Sequence, residues 1–276
     1  MISGTLLHAI EAIVLLGYFC AMGGYILFFA HQEPRQARMA SRILGATVAI
    51  HMTWWVLKIH RLGYFPFSQW ADCVSFIAFA LALGYLFIEL AARERRMGFC
   101  ITPLPFLLQA LAIHQLWRSN LAVQPPAELH SAWANLHVAT ALIACAAFAL
   151  SFCVSVMYLM LSREIRSKIL GRFFHRIPPL AVLDEINAKL LALGLALFTV
   201  AVAVGIIWEQ VESVERIPAA GQALMMAIWA CYGVNVLGGM KFGWQGARMS
   251  LLSIFNFTLV LVAIILGGFA GKTFHG

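Results

Sequence analysis

Residues 189–208 read KLLALGLALFTVAVAVGIIW. Their one charge is Lys189, at the very start. At 1.5 Å per residue this stretch makes a helix of about 30 Å, the thickness of a bilayer's hydrocarbon core. Apolar residues occupy every face of such a helix, so no side is left for water. The run does not alternate between polar and apolar residues, as a strand of an outer-membrane barrel would. We therefore read it as a membrane-crossing helix, because in hydrocarbon only helices and closed barrels satisfy their own backbone.

The rest of the chain follows the same pattern. Of its 276 residues, 62% are hydrophobic and 11% charged, and the mean hydropathy is +0.85. A soluble domain carries about a quarter charged residues. A water-soluble enzyme, a disordered chain and a disulfide-rich secreted scaffold are thereby excluded. Eight apolar spans are expected, at 5–30, 43–59, 73–92, 97–116, 135–161, 189–208, 221–240 and 250–270. The first lacks a basic n-region and a small-residue cleavage site, so it reads as a retained helix. Pro103 and Pro105 should kink or shorten the fourth span. The fold class is an all-α polytopic membrane protein of about eight transmembrane helices, forming one domain over residues 1–276.

The net charge of +7 is explained by topology. Loops after the odd-numbered spans hold thirteen basic residues: Arg35, Arg38, Arg42, Arg93, Arg95, Arg96, Arg163, Arg166, Lys168, Arg172, Arg176, Lys241 and Arg248. The opposite side holds Lys58, Arg61, Arg118, Arg216 and Lys272. Positive loops stay in the cytoplasm. The thirteen-residue side is then cytoplasmic, both termini lie outside, and membrane lipid is the partner. Nucleic acid is not. The longest loops fall at 117–134, 162–188 and 209–220, and the basic stretch 171–179 suits an interfacial segment.

None of the six cysteines forms a CxxC pair, so no zinc site, redox dithiol or c-type haem attachment motif is present. No Ser-His-Asp set, P-loop or HExxH motif appears, and the chain does not read as an enzyme by itself. Histidine is the informative residue. His8, His60, His114, His130, His137 and His275 fall at the outer side, His31 and His175 at the inner side, and His51 deep in a span. Haem held without a covalent bond needs one or two axial side chains, commonly imidazoles, at a shared depth. His137, which opens span five, and His275, which follows span eight, meet that condition. So do His8, His60 and His114, and any one of them taken singly also reads as a hydrated interfacial residue.

His51 and His60 point to opposite faces of their helix and lie about 13.5 Å apart along it, so they do not serve one iron. His51 is an ionisable residue in the membrane, which reads as functional, or as a neutral ring bonded to a neighbouring helix. His8 and Glu11 share a face, three residues apart. Glu89 should snorkel toward the cluster Arg93–Arg96. The loop 63–70, ending in Trp70, has the composition of a lid over a flat apolar ligand and equally of an aromatic belt. Glu209, Glu212 and Glu215 give the last outer loop a solvated acidic face.

These pieces resemble, in order along nearly the whole chain, the cytochrome c assembly membrane proteins of the CcsA/ResC type, which include HemX-like members. The resemblance rests on residues 5–8 (TLLH), on 62–70 (LGYFPFSQW) followed by Ser75-Phe76, on Leu136-His137-Val138, and on Leu183-Asp184-Glu185. Later landmarks are Gly205–Trp208, residues 242–248 (FGWQGAR) and the ending Phe274-His275-Gly276. It implies haem b bound non-covalently, with His137 and His275 as iron ligands. His60, His51, Trp70 and Trp208 are further candidates for the cofactor's surroundings. It also implies handling of haem or transfer of electrons at the outer face, in the bacterial cytoplasmic membrane, beside a membrane or periplasmic cytochrome or assembly partner. The family's tryptophan-rich loop is replaced here by 209–218 (EQVESVERIP), and Val236-Leu237-Gly238-Gly239 stands where the family has an inner-side histidine. These departures suit a divergent member, or a non-catalytic structural subunit that keeps the fold without the cofactor. The topology makes a direct prediction: reporters fused at either end report the same compartment, and opposite readings would separate His137 from His275.

Overall fold

The structure is a computed structural model. It describes residues 4–67, 69–116, 131–168, 171–212 and 218–273, with 172 and 265–273 described as backbone only. Among the described residues the regular elements are all helices: α1 (Gly4–His31), α2 (Pro34–Leu62), α3 (Trp70–Ala92), α4 (Gly98–Ile101), α5 (Pro103–Leu116), α6 (Ala132–Ser167), α7 (Arg172–Arg176), α8 (Leu180–Glu212), α9 (Ala219–Phe242) and α10 (Ala247–Thr273). Seven helical spans are long and apolar enough to cross a membrane, with α4 and α5 together forming one of them. The protein is an all-α polytopic membrane protein.

The remaining long helix is α2. Its hydropathy is lowered by Arg35, Arg38, Arg42, Lys58 and Arg61, yet its 29 residues pack antiparallel along α1. Gly24 of α1 faces Ala40, Gly17 faces Thr47, and Tyr18 bonds His51. As α1 descends, α2 climbs back beside it, so α2 makes a full pass. The same numbering reversal relates α2 to α3, where Lys58 meets Asp72 and His51 meets Phe79. It recurs between α6 and α8, where His137 meets Ala201 and Ser151 meets Asn187. Trp229 meets Thr199 between α9 and α8, and Asn256 meets Cys231 between α10 and α9. Successive passes therefore alternate. The helix ends split into an arginine-rich end and an arginine-poor end, and Gly4 and Thr273 both stand at the latter.

The helices overrun the expected spans at nearly every boundary. The region 162–188, expected as a long loop, is largely helical: α6 runs on to Ser167, α7 occupies Arg172–Arg176, and α8 starts at Leu180. Charged residues such as Arg163, Glu164 and Arg166 break a hydropathy window without breaking a helix, because they are good helix formers. The fourth span is interrupted at Thr102, between α4 and α5. Pro103 opens α5, where a missing N–H costs nothing. Gly63 closes α2 at φ +78°, a conformation side chains resist, and its N–H bonds the Ile59 carbonyl at 2.8 Å. Ser131 caps α6 by accepting from the Trp133 N–H at 3.0 Å.

Two packed groups result, α1–α5 and α6–α10, meeting where α3 and α4 pack against α6. Polar side chains join helices inside each, as expected where lipid offers no competing partner. In the second group the Asn187 side-chain carbonyl accepts from Ser151 at 2.6 Å and Ser155 at 3.2 Å, while Ser253 receives Asn235 at 3.2 Å. In the first group Glu89 accepts from Tyr25 and from Arg95 Nε at 3.0 Å. This is the partner expected from the Arg93–Arg96 cluster. Lys58 corrects the reading of the sequence. It is not a loop charge but a residue of α2, 3% exposed and paired with the equally buried Asp72 of α3. Removing one member strands the other in a dry interior. Lys58→Met is therefore expected to cost about 3–5 kcal/mol of unfolding free energy. Lys58→Met with Asp72→Leu should recover much of that, as measured by thermal unfolding in detergent.

Candidate functional site

The strongest candidate site lies at the arginine-poor end, between α6 and α8. The Ser131 cap starts α6 so that His137 falls in its second turn. There its ring faces the last third of α8. The His137 Nδ1–H donates to the Ala201 backbone carbonyl at 2.8 Å. A carbonyl only accepts, so this bond fixes the tautomer: the proton sits on Nδ1 and the lone pair on Nε2. In this tautomer Nε2 carries the lone pair that a metal ion would need, and the backbone oxygen behind the ring sets its orientation.

Gly205 makes the approach feasible. A Cβ at this position would stand 2.8 Å from His137 Nδ1 and 2.9 Å from Cε1, closer than real side chains come. One turn further along α8, Trp208 lies with its ring centroid 6.1 Å from that of His137, tilted by 36°. Its Nε1–H donates to Glu212 at 3.0 Å, which fixes the indole. Both His137 and Trp208 are half-buried. The site thus offers one oriented imidazole seated against the backbone at Gly205, with a flat aromatic wall beside it.

The other candidates are distributed differently. His275 lies outside the described residues, as do His130, Arg118, Glu215 and Arg216. His51 is 1% exposed and committed on both nitrogens: Nδ1 pairs with the Tyr18 hydroxyl at 2.9 Å and Nε2 with Ser75 Oγ at 3.1 Å. Ser75 in turn donates to Gln109 Oε1 at 2.9 Å. No ring nitrogen is left for a metal, so of the two readings of His51 the structure takes the bonded one. His60 projects from the opposite, exposed face of α2, as the nine-residue spacing requires. Trp70 opens α3 and is 52% exposed. The structure brings together His137 and Trp208, and keeps His51 and His60 apart.

In the loop before Trp70 the aromatic residues divide, with Phe65 exposed and Phe67 turned inward. Phe67 is buried against Trp55 and Phe76, with ring centroids 5.9 and 5.3 Å away. Burial, and then the nearby Asp72 carboxylate, hold the Tyr64 hydroxyl above the usual phenol range. His8 and Glu11 do share a face, 3.3 Å apart. Among the described residues, no group of three or more His, Cys, Asp or Glu side chains is gathered to hold a metal ion.

Sequence reasoning missed Tyr18, Ser75, Gln109 and the Lys58–Asp72 pair. The available signal was polar residues inside otherwise apolar helices, which in lipid need partners. It also passed over Gly205, whose role appears only once His137 is seen across from it.

The model for the family described as "Cytochrome C assembly protein" matches residues 13–275. The chain belongs to the cytochrome C assembly protein family. Among curated relatives it is similar to "Cytochrome c biogenesis protein CcsA" of Synechococcus elongatus, at 24% identity over 260 residues, covering 77% of this chain and 79% of the relative. It is also similar to "Protein HemX" of Brevibacillus brevis, at 24% identity over 259 residues and 91% of each chain. A third relative is "Cytochrome c biogenesis protein CcsA" of Porphyra purpurea, at 22% identity, covering 77% and 78%. In this member of the cytochrome C assembly family, Gly205→Ala should drive a methyl into the His137 ring and cost about 1–3 kcal/mol of stability. The same change in a His137→Ala background should cost nearly nothing, since the clash and its target vanish together.

Proposed function

We propose that this protein acts in cytochrome c assembly by binding haem b non-covalently at the arginine-poor end of the bundle, with His137 Nε2 as one axial ligand. The observation that carries this reading is the His137–Ala201 bond, which leaves Nε2 as the unprotonated nitrogen. Gly205 lets the His137 ring pack close against α8, and the half-buried indole of Trp208 beside it suits contact with a flat aromatic ring. Haem, when bound, supplies an iron that shuttles one electron. The protein's part is to orient the imidazole, exclude water with Trp208 and keep the Nδ1–H donating to the Ala201 carbonyl. His275 is the proposed second ligand, from its place in the family's ending. His60 and Trp70 belong to the same end and are proposed as outer surroundings.

The positive-inside bias supports placing the arginine-poor end outside the cytoplasmic membrane of a bacterium. A cytochrome or assembly partner on that side would receive haem or electrons. One observation favours a second reading, a structural subunit without cofactor: residues 209–218 have none of the tryptophans expected of a haem-presenting loop.

An absorption spectrum of the purified full-length protein separates the two. A Soret band that survives purification and is lost in His137→Ala with His275→Ala supports haem binding. Full haem occupancy in that double variant overturns the ligand assignment. A colourless protein that co-purifies stoichiometrically with a membrane partner supports the structural reading.

A further inference from the structure

At the arginine-rich end, away from His137, the sequence segment 243–248 turns from α9 into α10 and folds back onto α8. The Gly246 N–H donates to Asp184 Oδ1 at 2.8 Å and anchors this turn. The Arg248 guanidinium lies 4.0 Å over the Trp244 ring, a contact that holds the cation in place with its edge donors available. A cavity of about 400 Å³ opens here, and Arg166, Arg248 and Tyr158 line it. Asp184 lines it too, with one carboxylate oxygen engaged by Gly246. Two guanidinium groups stand here against the Asp184 carboxylate, and Glu185, which lines the adjoining cavity, is paired with Lys189 at 2.6 Å, so the mouth is left net positive.

A second cavity of about 520 Å³ shares Ala181, Asp184 and Gln245 with the first. It runs as a groove along the lipid-facing seam of α8 and α9. Ala188 and Ala192 form one wall, and Val236, Gly239 and Met240 the other. From Ala181 to Ala192 the groove follows α8 for about 16 Å, the length of a dozen methylene groups in an extended chain. The small residues Ala188, Ala192 and Gly239 leave room for it, and its polar side chains Asp184, Glu185 and Gln245 lie at the end shared with the first cavity. A cationic mouth at the depth of the headgroups, continuous with an apolar groove that points into the membrane, has the shape and polarity of one anionic phospholipid.

We propose that the arginine-rich end carries a specific site for an anionic phospholipid, with its phosphate between Arg166, Arg248 and the Tyr158 hydroxyl and one acyl chain in the α8–α9 groove. Arginine suits the phosphate through bidentate donation. The occupant would tie the 243–248 turn to α6 and α8, and so brace the half of the molecule that carries His137. The proposal does not depend on haem.

The test is titration of the purified full-length protein with phosphatidylglycerol in a neutral detergent, followed by native mass spectrometry and by thermal unfolding. Phosphatidylcholine and inorganic phosphate serve as comparison ligands. Phosphatidylglycerol should bind and raise the unfolding midpoint, while phosphatidylcholine and phosphate should not. Arg166→Gln with Arg248→Gln should weaken that binding roughly 30-fold, the expectation for two lost cation–headgroup contacts. Ala188→Phe, which fills the groove and leaves the charge untouched, should weaken it too. Arg93→Gln with Arg96→Gln removes equal charge from the same end and should leave it unchanged. Equal weakening in this last variant would reduce the effect to general surface charge and overturn the proposal. So would full affinity in Ala188→Phe, or inorganic phosphate binding as tightly as the lipid. Unfolding midpoints in neutral detergent alone establish that each variant is folded.

Discussion

Hydrocarbon supplies no hydrogen-bond partner, so a polar group within the bundle is held by whatever the neighbouring helices present. That constraint organises this protein. Each group of helices is drawn together by polar side chains that meet across helix seams: Lys58 and Asp72, Glu89 with Tyr25 and Arg95, Asn187 with its serines. Apolar packing fills the space between them but selects no register, because lipid tails are as apolar as leucine. A buried ion pair, by contrast, tolerates no slippage. Shifting α2 against α3 by one residue would rotate Lys58 about 100° away from Asp72 and strand both charges. The pair is thus as much a register pin as a source of stability, and it fixes the level at which His51 meets Tyr18 and Ser75.

The two helix groups use different chemistry for this purpose. In α1–α5 the joints include ion pairs and a histidine beside the neutral Ser75–Gln109 bond, and they reach from the arginine-poor end, at Lys58, to the arginine-rich end, at Arg95. In α6–α10 the buried joints are neutral, made of Asn and Ser, and they sit toward the arginine-rich half of the seam. The arginine-poor half of that seam is left to His137, Gly205 and Trp208, where a half-buried imidazole is held from one side only. A group of helices braced at one end and open at the other is suited to admit a ligand at the open end without loosening its own packing. The anchored 243–248 turn adds to the bracing, since Asp184 and Trp244 bind the α9–α10 connection to α8 and to Arg248.

Much of this was legible in the sequence. The 189–208 run already dictates a membrane helix, and the loop arginines already separate the two ends. Helix boundaries were not legible, because hydropathy measures solvent preference while helices continue through Arg163, Glu164 and Arg166 into the headgroups. Lys58 was misread for the same reason: one lysine near the end of a span looks like a loop charge until its partner fourteen residues away is seen across a hairpin. His137 was legible from its depth and its family context. The residues that make it a usable ligand were not. Ala201 contributes only a backbone oxygen and Gly205 only the absence of a Cβ, and neither leaves a mark in composition or periodicity.

The contrast between His51 and His137 shows why depth alone does not make an imidazole a ligand. Both lie on helices, both meet a neighbouring helix, and both are bonded through Nδ1. Ser75 gives its own proton to Gln109, so His51 Nε2–H donates to Ser75 and Nδ1 accepts from the Tyr18 hydroxyl, and both nitrogens are spent on joining α1, α2 and α3. His137 donates Nδ1–H to a carbonyl that has no proton to return. The tautomer is fixed from behind, and Nε2 faces forward with its lone pair unclaimed by that bond. Both rings are thus held in one tautomer, and they differ in what is left over: His51 has both nitrogens engaged, whereas half-buried His137 keeps the Nε2 lone pair clear of its backbone bond, which makes it the prospective ligand and His51 the joint between helices.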